Sequence, residues 1–260
     1  MFDTVDDRAT QALPDGRLVA CANTLEVLAI WQDIANDSAY ARGLRGLGAD
    51  SVIVDVGAHV GLASMYFADR IPAARILAYE PAPTTFACLR ENFARHVPRG
   101  VTFDLAVGAE PGTSRFVYYP AGPSLSTLHL DAADERRNID TVMSNVGSPE
   151  LAGESMQGLV RTKEELDVRV TTLTEIARQH RLDVLDLLKI DVERGELDVL
   201  NGIDDEMWPR IRRIVVEVHD ICGRLRQVLD RLRKLDYQVE VSQSPIFLGA
   251  SVHIVVAVRD

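Results

Sequence analysis

Short apolar segments rich in β-branched residues alternate with helical patterns along most of the chain, and this order constrains the fold more than any other feature of the sequence. Strand patterns occupy 51–57, 74–80, 101–108, 184–191 and 211–219. The chain then ends in two more strand patterns, 237–243 and 251–259, with no helical pattern between them. Two strands joined so closely must be antiparallel. The sequence therefore predicts an α/β fold with a doubly wound, Rossmann-like sheet and a terminal antiparallel strand.

The sequence predicts a single domain, 1–260. Two segments of this domain lie outside the regular alternation of strands and helices. Residues 1–50 form an N-terminal segment with strand and helical character, and 120–165 is a long connection containing several glycines and prolines. A connection of this length in a compact domain is usually functional, so 120–165 is predicted to be an inserted lid that orders over the site when an acceptor binds. The apolar residues of the predicted lid are Leu125, Leu128, Leu130, Val142, Met143, Val146, Leu151 and Met156. They indicate either an apolar acceptor pocket or a self-association surface.

The balance of charge excludes some partners. The chain has 28 basic and 39 acidic residues and a formal net charge of −11, so its surface repels phosphate backbones and acidic lipid headgroups. We therefore expect neither a nucleic acid nor a membrane as partner. Three scattered cysteines are too few for a disulfide framework, and the first residues lack the pattern of a secretory leader. These features predict a cytoplasmic protein.

The first strand pattern leads into a glycine-containing turn, Asp55-Val56-Gly57-Ala58-His59-Val60-Gly61. In a dinucleotide fingerprint the second glycine makes room for pyrophosphate, and His59 takes that position here. Glu80 ends the second strand pattern, where a carboxylate can accept both hydroxyls of an unphosphorylated ribose. The turn and Glu80 together predict S-adenosylmethionine as cofactor and disfavour a nicotinamide.

Cofactor contacts are therefore predicted for residues at the ends of the first three strand patterns: Asp55, Gly57, His59, Gly61, Glu80 and Asp104. Asp104, near the end of 101–108, is placed to accept a hydrogen bond from the adenine amino group. The alternative for the two glycines is structural. Gly57 and Gly61 would then only allow strand and helix to pack closely.

Five segments resemble the FkbM family of S-adenosylmethionine-dependent methyltransferases: VDVGAHVG, AYEPAP, DLAVGAEPG, LLKIDVERGELDVLNG and VVEVHD. The resemblance covers roughly residues 50–258, and WPRIRRIVVEVHD is similar to the branch that O-methylates macrolide polyketides. It implies a class I methyltransferase fold and a hydroxyl acceptor. It also implies that Ser126 lies near the cofactor, because related enzymes carry a serine-rich segment there. Two positions depart from the family pattern: His59 stands where asparagine is usual, and Arg194 interrupts the commoner Glu-Gly.

Methyl transfer to a hydroxyl is an in-line displacement that needs an oriented acceptor and removal of the acceptor's proton. The fourth strand pattern ends in Asp191 and Glu193, and the fifth carries Glu217 and ends at His219. Histidine has the unperturbed pKa best suited to a base near neutral pH. His219 is therefore the predicted general base, and Asp191 is predicted to orient it or to bind the cofactor.

Other roles remain open at these strand ends. His219 and Glu217 could instead cap the strand through loop amides. Lys189 and Asp191 share one face of their strand, so they form either a buried ion pair or a site where the lysine compensates carboxylates beside a cationic cofactor. The acidic side chains and His219 could also hold Mg²⁺, but no spacing demands a metal and none is predicted.

The predicted function is an S-adenosylmethionine-dependent O-methyltransferase that acts on a hydroxyl of a small-molecule natural product, with polyketide-like or macrolide-like acceptors favoured. One alternative is a methyltransferase acting on a glycan or glycolipid hydroxyl. The other is a non-catalytic, cofactor-binding partner module, which the presence of Glu80, Asp191 and His219 disfavours.

Overall fold

The structure, a computed structural model, describes residues 8–36, 38–146 and 157–259. Numbered along the chain, the strands are β1 (Ala9–Ala12), β2 (Leu18–Cys21), β3 (Val52–Val56), β4 (Arg75–Tyr79), β5 (Gly100–Phe103), β6 (Ala106–Val107), β7 (Gly112–Tyr118), β8 (Glu164–Thr171), β9 (Leu187–Ile190), β10 (Arg213–His219), β11 (Gln238–Ser242) and β12 (Val252–Val258). The helices are α1 (Thr24–Asn36), α2 (Ser38–Leu44), α3 (Leu62–Arg70), α4 (Pro83–His96), α5 (Ala132–Val146), α6 (Leu173–His180), α7 (Glu196–Asn201) and α8 (Arg224–Lys234).

The main sheet has seven strands in the order β11-β12-β10-β9-β3-β4-β5. All neighbours are parallel except β12, which runs antiparallel to both β10 and β11. This confirms the doubly wound sheet with a reversed terminal strand. From β3 the chain winds outward through β4 and β5, whereas β9 and β10 lie on the other side of β3. The order therefore switches between β3 and β9, and ligands of open α/β sheets bind beyond the carboxyl ends at such a point.

Two hydrophobic layers cover the sheet, one on each face. Successive side chains of a strand point to opposite faces, and accordingly Ile53 packs with α3 and α4 residues such as Phe67 and Leu89. Val54 packs on the other face, in the layer that contains Trp208. Burial on both faces explains why β3 is apolar except for Asp55, a pattern that is easy to recognise.

The structure departs from the predicted elements around 101–108. This segment divides into β5, in the main sheet, and β6, which joins β7 and β8 in a separate three-stranded sheet. The sequence patterns also did not predict β8 or α6. β8 reads EELDVRVT and buries only Val168 of its eight residues, so it lacks the apolar content that marks a buried strand.

The predicted lid, 120–165, contains regular structure. It includes a 3₁₀ turn at Pro123–Leu125, the whole of α5 and the first residues of β8. Residues 147–156, with the predicted lid residues Leu151 and Met156, lie outside the described part of the chain. In the N-terminal segment, a β1–β2 hairpin precedes α1 and α2. None of the helices that the structure describes is long and apolar enough to cross a membrane.

Candidate active site

The turn after β3 is fixed by close contact with the end of β9. Gly57 has a φ of +73°, and a Cβ at this position would lie 1.9 Å from the carbonyl oxygen of Asp191. A Cβ on Gly61, at φ +94°, would press on Leu89 and Phe93 of α4. The packing of the protein around both positions therefore requires glycine, and the predicted cofactor contacts of Gly57 and Gly61 stay predictions.

Lys189 stabilises the same turn from β9. Its ammonium group donates to the carbonyl oxygen of Gly57 at 2.7 Å and lies 3.0 Å from Asp55 and 3.3 Å from Asp191. The lysine side chain is 3% exposed. Burial opposes its charge, but the two carboxylates raise the pKa of Lys189 to about 12. The hydroxyl of Ser64 donates a further hydrogen bond to Asp55 at 2.6 Å. The ion pair between Lys189 and Asp191, one of the two alternatives that the sequence allows for these residues, is therefore present.

Glu80 follows β4 with its carboxylate held by backbone amides. One oxygen accepts from the amide of His59 at 3.1 Å and the other from the amide of Ala82 at 2.9 Å. Burial raises the pKa of the Glu80 carboxyl, and the two amides partly offset that rise. Each oxygen keeps a lone pair for a further donor, so this carboxylate is suited to accept the two hydroxyls of a ribose.

A glutamate from the N-terminal segment joins this turn, and no pattern in the sequence predicts it. The Nε2 atom of His59 lies 3.4 Å from the carboxylate of Glu26 in α1. The other oxygen of Glu26 accepts from both the amide and the hydroxyl of Ser124, at 3.0 Å and 2.5 Å. Burial opposes both charges, but the pairing raises the pKa of His59 and lowers that of Glu26. Only tertiary packing brings α1 to this position.

His219 is not placed as a free base at the end of β10. Its Nδ1 atom lies 2.6 Å from Glu196 and its Nε2 atom 3.0 Å from Glu193, and the ring is 2% exposed. Burial opposes the charge, but the two carboxylates raise the pKa of His219 well above its usual value. A ring that carries a proton on both nitrogens has no lone pair to accept another. This geometry argues against His219 as the general base.

Glu217 is a second group at this edge whose pKa the environment raises strongly. Burial, together with the negative charge of Asp191, raises the pKa of the Glu217 carboxyl well above its usual value. Asp191 itself is 38% exposed and faces Lys189. The structure therefore places a carboxyl group of raised pKa beside Asp191, and two carboxyl groups in such unequal environments can divide acid and base roles, as in many active sites.

The acidic side chains and His219 also define a possible cation site. Ligand atoms of Glu193, Glu217 and His219 lie within 4.8 Å of one another. However, both ring nitrogens of His219 contact carboxylates, and Glu193 also contacts Arg194 at 3.3 Å. A cation at this position would have to displace these ion pairs.

The structure does not bring all predicted cofactor residues together. Asp104 lies in the turn after β5, where it pairs with Arg169 at 2.8 Å and is 60% exposed. Its neighbour Leu105, rather than Asp104, lines the cavity at the sheet edge. Ser126 does line that cavity, and its hydroxyl accepts from the amide of Tyr119 at 3.0 Å.

These groups surround one cavity of about 820 Å³ at the carboxyl ends of the strands. Its acidic lining residues are Glu26, Asp33, Glu80, Asp191, Glu193 and Glu217, and its basic ones are His59 and Lys189. Apolar side chains from α1, α5, the connection before α5, the segment before β8 and the turn at 245–247 form one wall of the cavity: Leu25, Ile30, Leu125, Leu128, Val142, Leu159, Ile246 and Phe247. The lining of the cavity thus combines an excess of acidic side chains with an apolar wall.

The strand order with its reversed β12, and the cavity at the switch between β3 and β9, define a class I, Rossmann-like methyltransferase fold. The family model of the methyltransferase FkbM domain matches residues 55–239. The chain belongs to this family.

The chain is similar to several proteins of known activity. The chain is 36% identical over 260 residues to the 31-O-demethyl-FK506 methyltransferase FkbM of Streptomyces tacrolimicus, covering 100% of this chain and 99% of the relative. It is 32% identical over 214 residues to the methyltransferase SdnD of Sordaria araneosa, covering 78% and 79%. Among solved structures, the precorrin-6y C5,15-methyltransferase of Geobacter metallireducens superposes with a TM-score of 0.45 at 16% identity, over 86% of this chain and 87% of that one.

Proposed function

We propose that this methyltransferase transfers the methyl group of S-adenosylmethionine to a hydroxyl of a small-molecule natural product with a largely apolar body, such as a polyketide or macrolide. The observation that carries the proposal is the single cavity in which Glu80 and the turn after β3 adjoin the acidic ends of β9 and β10 and an apolar wall. The FK506-directed relative, which aligns along the whole chain, supports the same acceptor class.

The charge of the cavity supports the choice of cofactor. Six carboxyl side chains face two basic ones, and such an excess of negative charge favours a cationic sulfonium. Glu80 would hold the ribose, whereas Asp55, Lys189 and Gly57 hold the turn in position. When bound, the cofactor supplies an electrophilic methyl group. The protein's own residues must orient the acceptor, exclude water and accept its proton.

The apolar wall supports an acceptor with few charges. Ile246 and Phe247 lie in the turn before β12, and Leu25 lies on α1. Leu25 and Ile246 are among the exposed large hydrophobic residues, at 71% and 38%. Exposed apolar side chains at the wall of a cavity mark a surface that an apolar ligand would cover.

The general base in this proposal is Glu217, with Asp191 as its partner. A base works best when its pKa lies near the working pH, and burial beside Asp191 moves the pKa of Glu217 upward. Glu217 lines the cavity, so it can reach an acceptor hydroxyl. His219 would then be a positioning residue, because it holds Glu193 at 3.0 Å.

The test is turnover with S-adenosylmethionine on a panel of macrolide, glycan and glycolipid alcohols, with the product read by mass. We expect a methylated macrolide-type alcohol and a loss of about 10²–10⁴-fold in kcat for Glu217→Gln. The control is Glu165→Gln, an exposed glutamate of β8, which should retain full activity. Methylation of glycans alone would show that the acceptor is a glycan and not a macrolide-type alcohol. Cofactor binding without turnover on any acceptor would favour the alternative of a non-catalytic, cofactor-binding partner module.

A further inference from the structure

The helix α1 carries two stripes of side chains on nearly opposite faces. Successive residues of an α-helix are rotated by about 100°, so residues three and four positions apart share a face. One stripe is buried in the core and consists of Val27, Trp31 and Ile34. The other stripe is exposed and lines the cavity, and it consists of Leu25, Ala29, Gln32 and Asn36. These four residues are called the α1 stripe below.

The α1 stripe is uncharged, in contrast to the acidic strand ends that line the same cavity. Its first two residues are apolar, and its last two carry side-chain amides. Within the part of the chain that the structure describes, neither Gln32 nor Asn36 forms a side-chain hydrogen bond. Each amide has N–H donors and a carbonyl acceptor, so both can bind polar groups of a ligand.

The apolar turn at 245–247 is held beside α1 by hydrogen bonds from two elements. The hydroxyl of Ser244 donates to Asp33 of α1 at 2.8 Å. The amide of Asn145 in α5 donates to the carbonyl oxygen of Ile246 at 2.9 Å. These bonds fix the position of an apolar surface that lines the cavity together with the α1 stripe.

The size of the cavity limits how much of an acceptor it can enclose. Its volume is about 820 Å³, and pockets of roughly 300–1,000 Å³ enclose most of one drug-sized ligand. S-adenosylmethionine is itself a ligand of that size. A macrolide-sized acceptor can therefore insert its reactive hydroxyl, but its body must lie against the exposed lining, where Leu25 is 71% and Ile246 is 38% exposed.

We propose that the α1 stripe and the turn at 245–247 bind the body of the acceptor and thereby determine which alcohols are methylated. The inference rests on the proposed function, because it needs an acceptor hydroxyl in this cavity. Leu25 and Ile246 would cover hydrocarbon, whereas Gln32 and Asn36 would form hydrogen bonds with carbonyl or hydroxyl oxygens.

The chemical class that fits this surface is a large, uncharged alcohol with oxygen substituents near one edge of an apolar body. A hydrocarbon without oxygens would leave both amides of the α1 stripe without partners, and this costs binding energy when they are covered. An acceptor with a negative charge would meet the six carboxyl side chains that line the same cavity.

The test compares two acceptors at saturating S-adenosylmethionine. One is the macrolide alcohol that the panel identifies as the best acceptor, and the other is a fragment of it that keeps the hydroxyl but lacks most of the body. The wild-type KM for the whole alcohol should be lower than that for the fragment by about tenfold or more, because only the whole alcohol covers the apolar surface.

Removal of the apolar contacts should affect the whole alcohol alone. The double variant Leu25→Ser/Ile246→Ser should raise its KM about tenfold and leave kcat unchanged, since the lost interaction is equal in the ground state and the transition state. The KM of the fragment should not change. The control is Leu18→Ser in β2, a leucine that is 53% exposed and lies outside the cavity lining.

The amides are tested by substitutions that keep the size of the side chain. Gln32→Met and Asn36→Leu should each raise the KM of the whole alcohol by about 3-fold to 10-fold, the range of one hydrogen bond. Gln227→Met, at an exposed glutamine of α8, is the matched control. These single surface substitutions keep the inference falsifiable if the double variant fails to fold.

Three results would overturn the inference and leave the proposed function intact. They are an equal wild-type KM for the whole alcohol and the fragment, an unchanged KM of the whole alcohol in the folded variants, and an equal rise for both acceptors. Sedimentation velocity adds a further arm, because a change of oligomeric state in the double variant with an unchanged KM would assign this surface to a second copy of the chain. If no alcohol of the panel were methylated, the proposed function would itself be wrong.

Discussion

Arg194 and Asp134 form an ion pair that is almost completely removed from solvent. Nε of Arg194 lies 3.2 Å from Oδ2 of Asp134, and the side chains are 2% and 0% exposed. The pair joins α5, within the predicted lid, to the turn between β9 and α7. Arg194 also contacts Glu193, which in turn contacts His219. The position of α5 is thereby tied to the acidic edge of the active site.

Removal of either partner of this pair should destabilise the protein strongly. Asp134→Asn leaves the buried Arg194 with Glu193 alone, and Arg194→Gln leaves the buried Asp134 with Arg137 as its charged partner. Breaking a buried pair costs about 3–5 kcal/mol when the remaining charge has no partner, so we expect a loss up to that size in the free energy of unfolding. Urea denaturation measures this directly, with Asp140→Asn as the control on an exposed position of α5. The double variant should lose less than the sum of the single variants. Additive losses would show that the two side chains are not coupled.

Glu80→Ala should weaken cofactor binding without unfolding the protein. Each charge-assisted hydrogen bond from a ribose hydroxyl contributes about 1.5–3 kcal/mol, so we expect the Kd for S-adenosylhomocysteine to rise by at least tenfold. Calorimetry on the folded variant measures the change, and Glu164→Ala, on the exposed start of β8, serves as the control. Wild-type affinity in Glu80→Ala would contradict the assignment of the ribose to this carboxylate.

His219 should govern the pH dependence of stability at alkaline pH. The raised pKa of His219 means that its stabilisation is complete below the unfolded value and is lost as the pH rises through the folded one. The lowered pKa of Glu193 acts in the opposite direction, so its contribution is lost as the pH falls. Thermal unfolding of the wild-type protein should therefore show an alkaline decline that His219→Asn lacks. A pH–rate profile with an acidic limb that His219→Asn abolishes would instead support the sequence-based assignment of this residue as the base.

Removal of divalent metal should leave turnover unchanged. Both nitrogens of His219 contact carboxylates, and Glu193 is shared with Arg194, so this group has no free set of ligand atoms. The measurement is methyl transfer after dialysis against EDTA, with and without added Mg²⁺. Loss of activity in EDTA that Mg²⁺ alone restores would show that these contacts rearrange around a metal.

Sequence patterns predicted the sheet well where strands are buried on both faces. β3, β4, β9 and β10 are short apolar runs, and the absence of a helix before β12 required an antiparallel partner. Patterns failed at 101–108 because β5 and β6 are continuous in sequence yet belong to different sheets. They also failed at the exposed strand β8, whose composition resembles a loop.

The features of the candidate site were likewise only partly predictable from the sequence. The order of residues sets which side chains end the strands, and a parallel sheet brings such ends to one edge. This is why Glu80 and Asp191 could be predicted as site residues, whereas Glu217 was considered only as a possible cap or metal ligand and His219 was preferred as the base. The charge states and the partners of these side chains depend on the tertiary structure. Glu26 reaches His59, and Glu196 reaches His219, because helices far along the chain pack against the sheet edge. The protonation of a buried group depends on the sum of its desolvation and its neighbours' charges, and neither can be read from the order of residues.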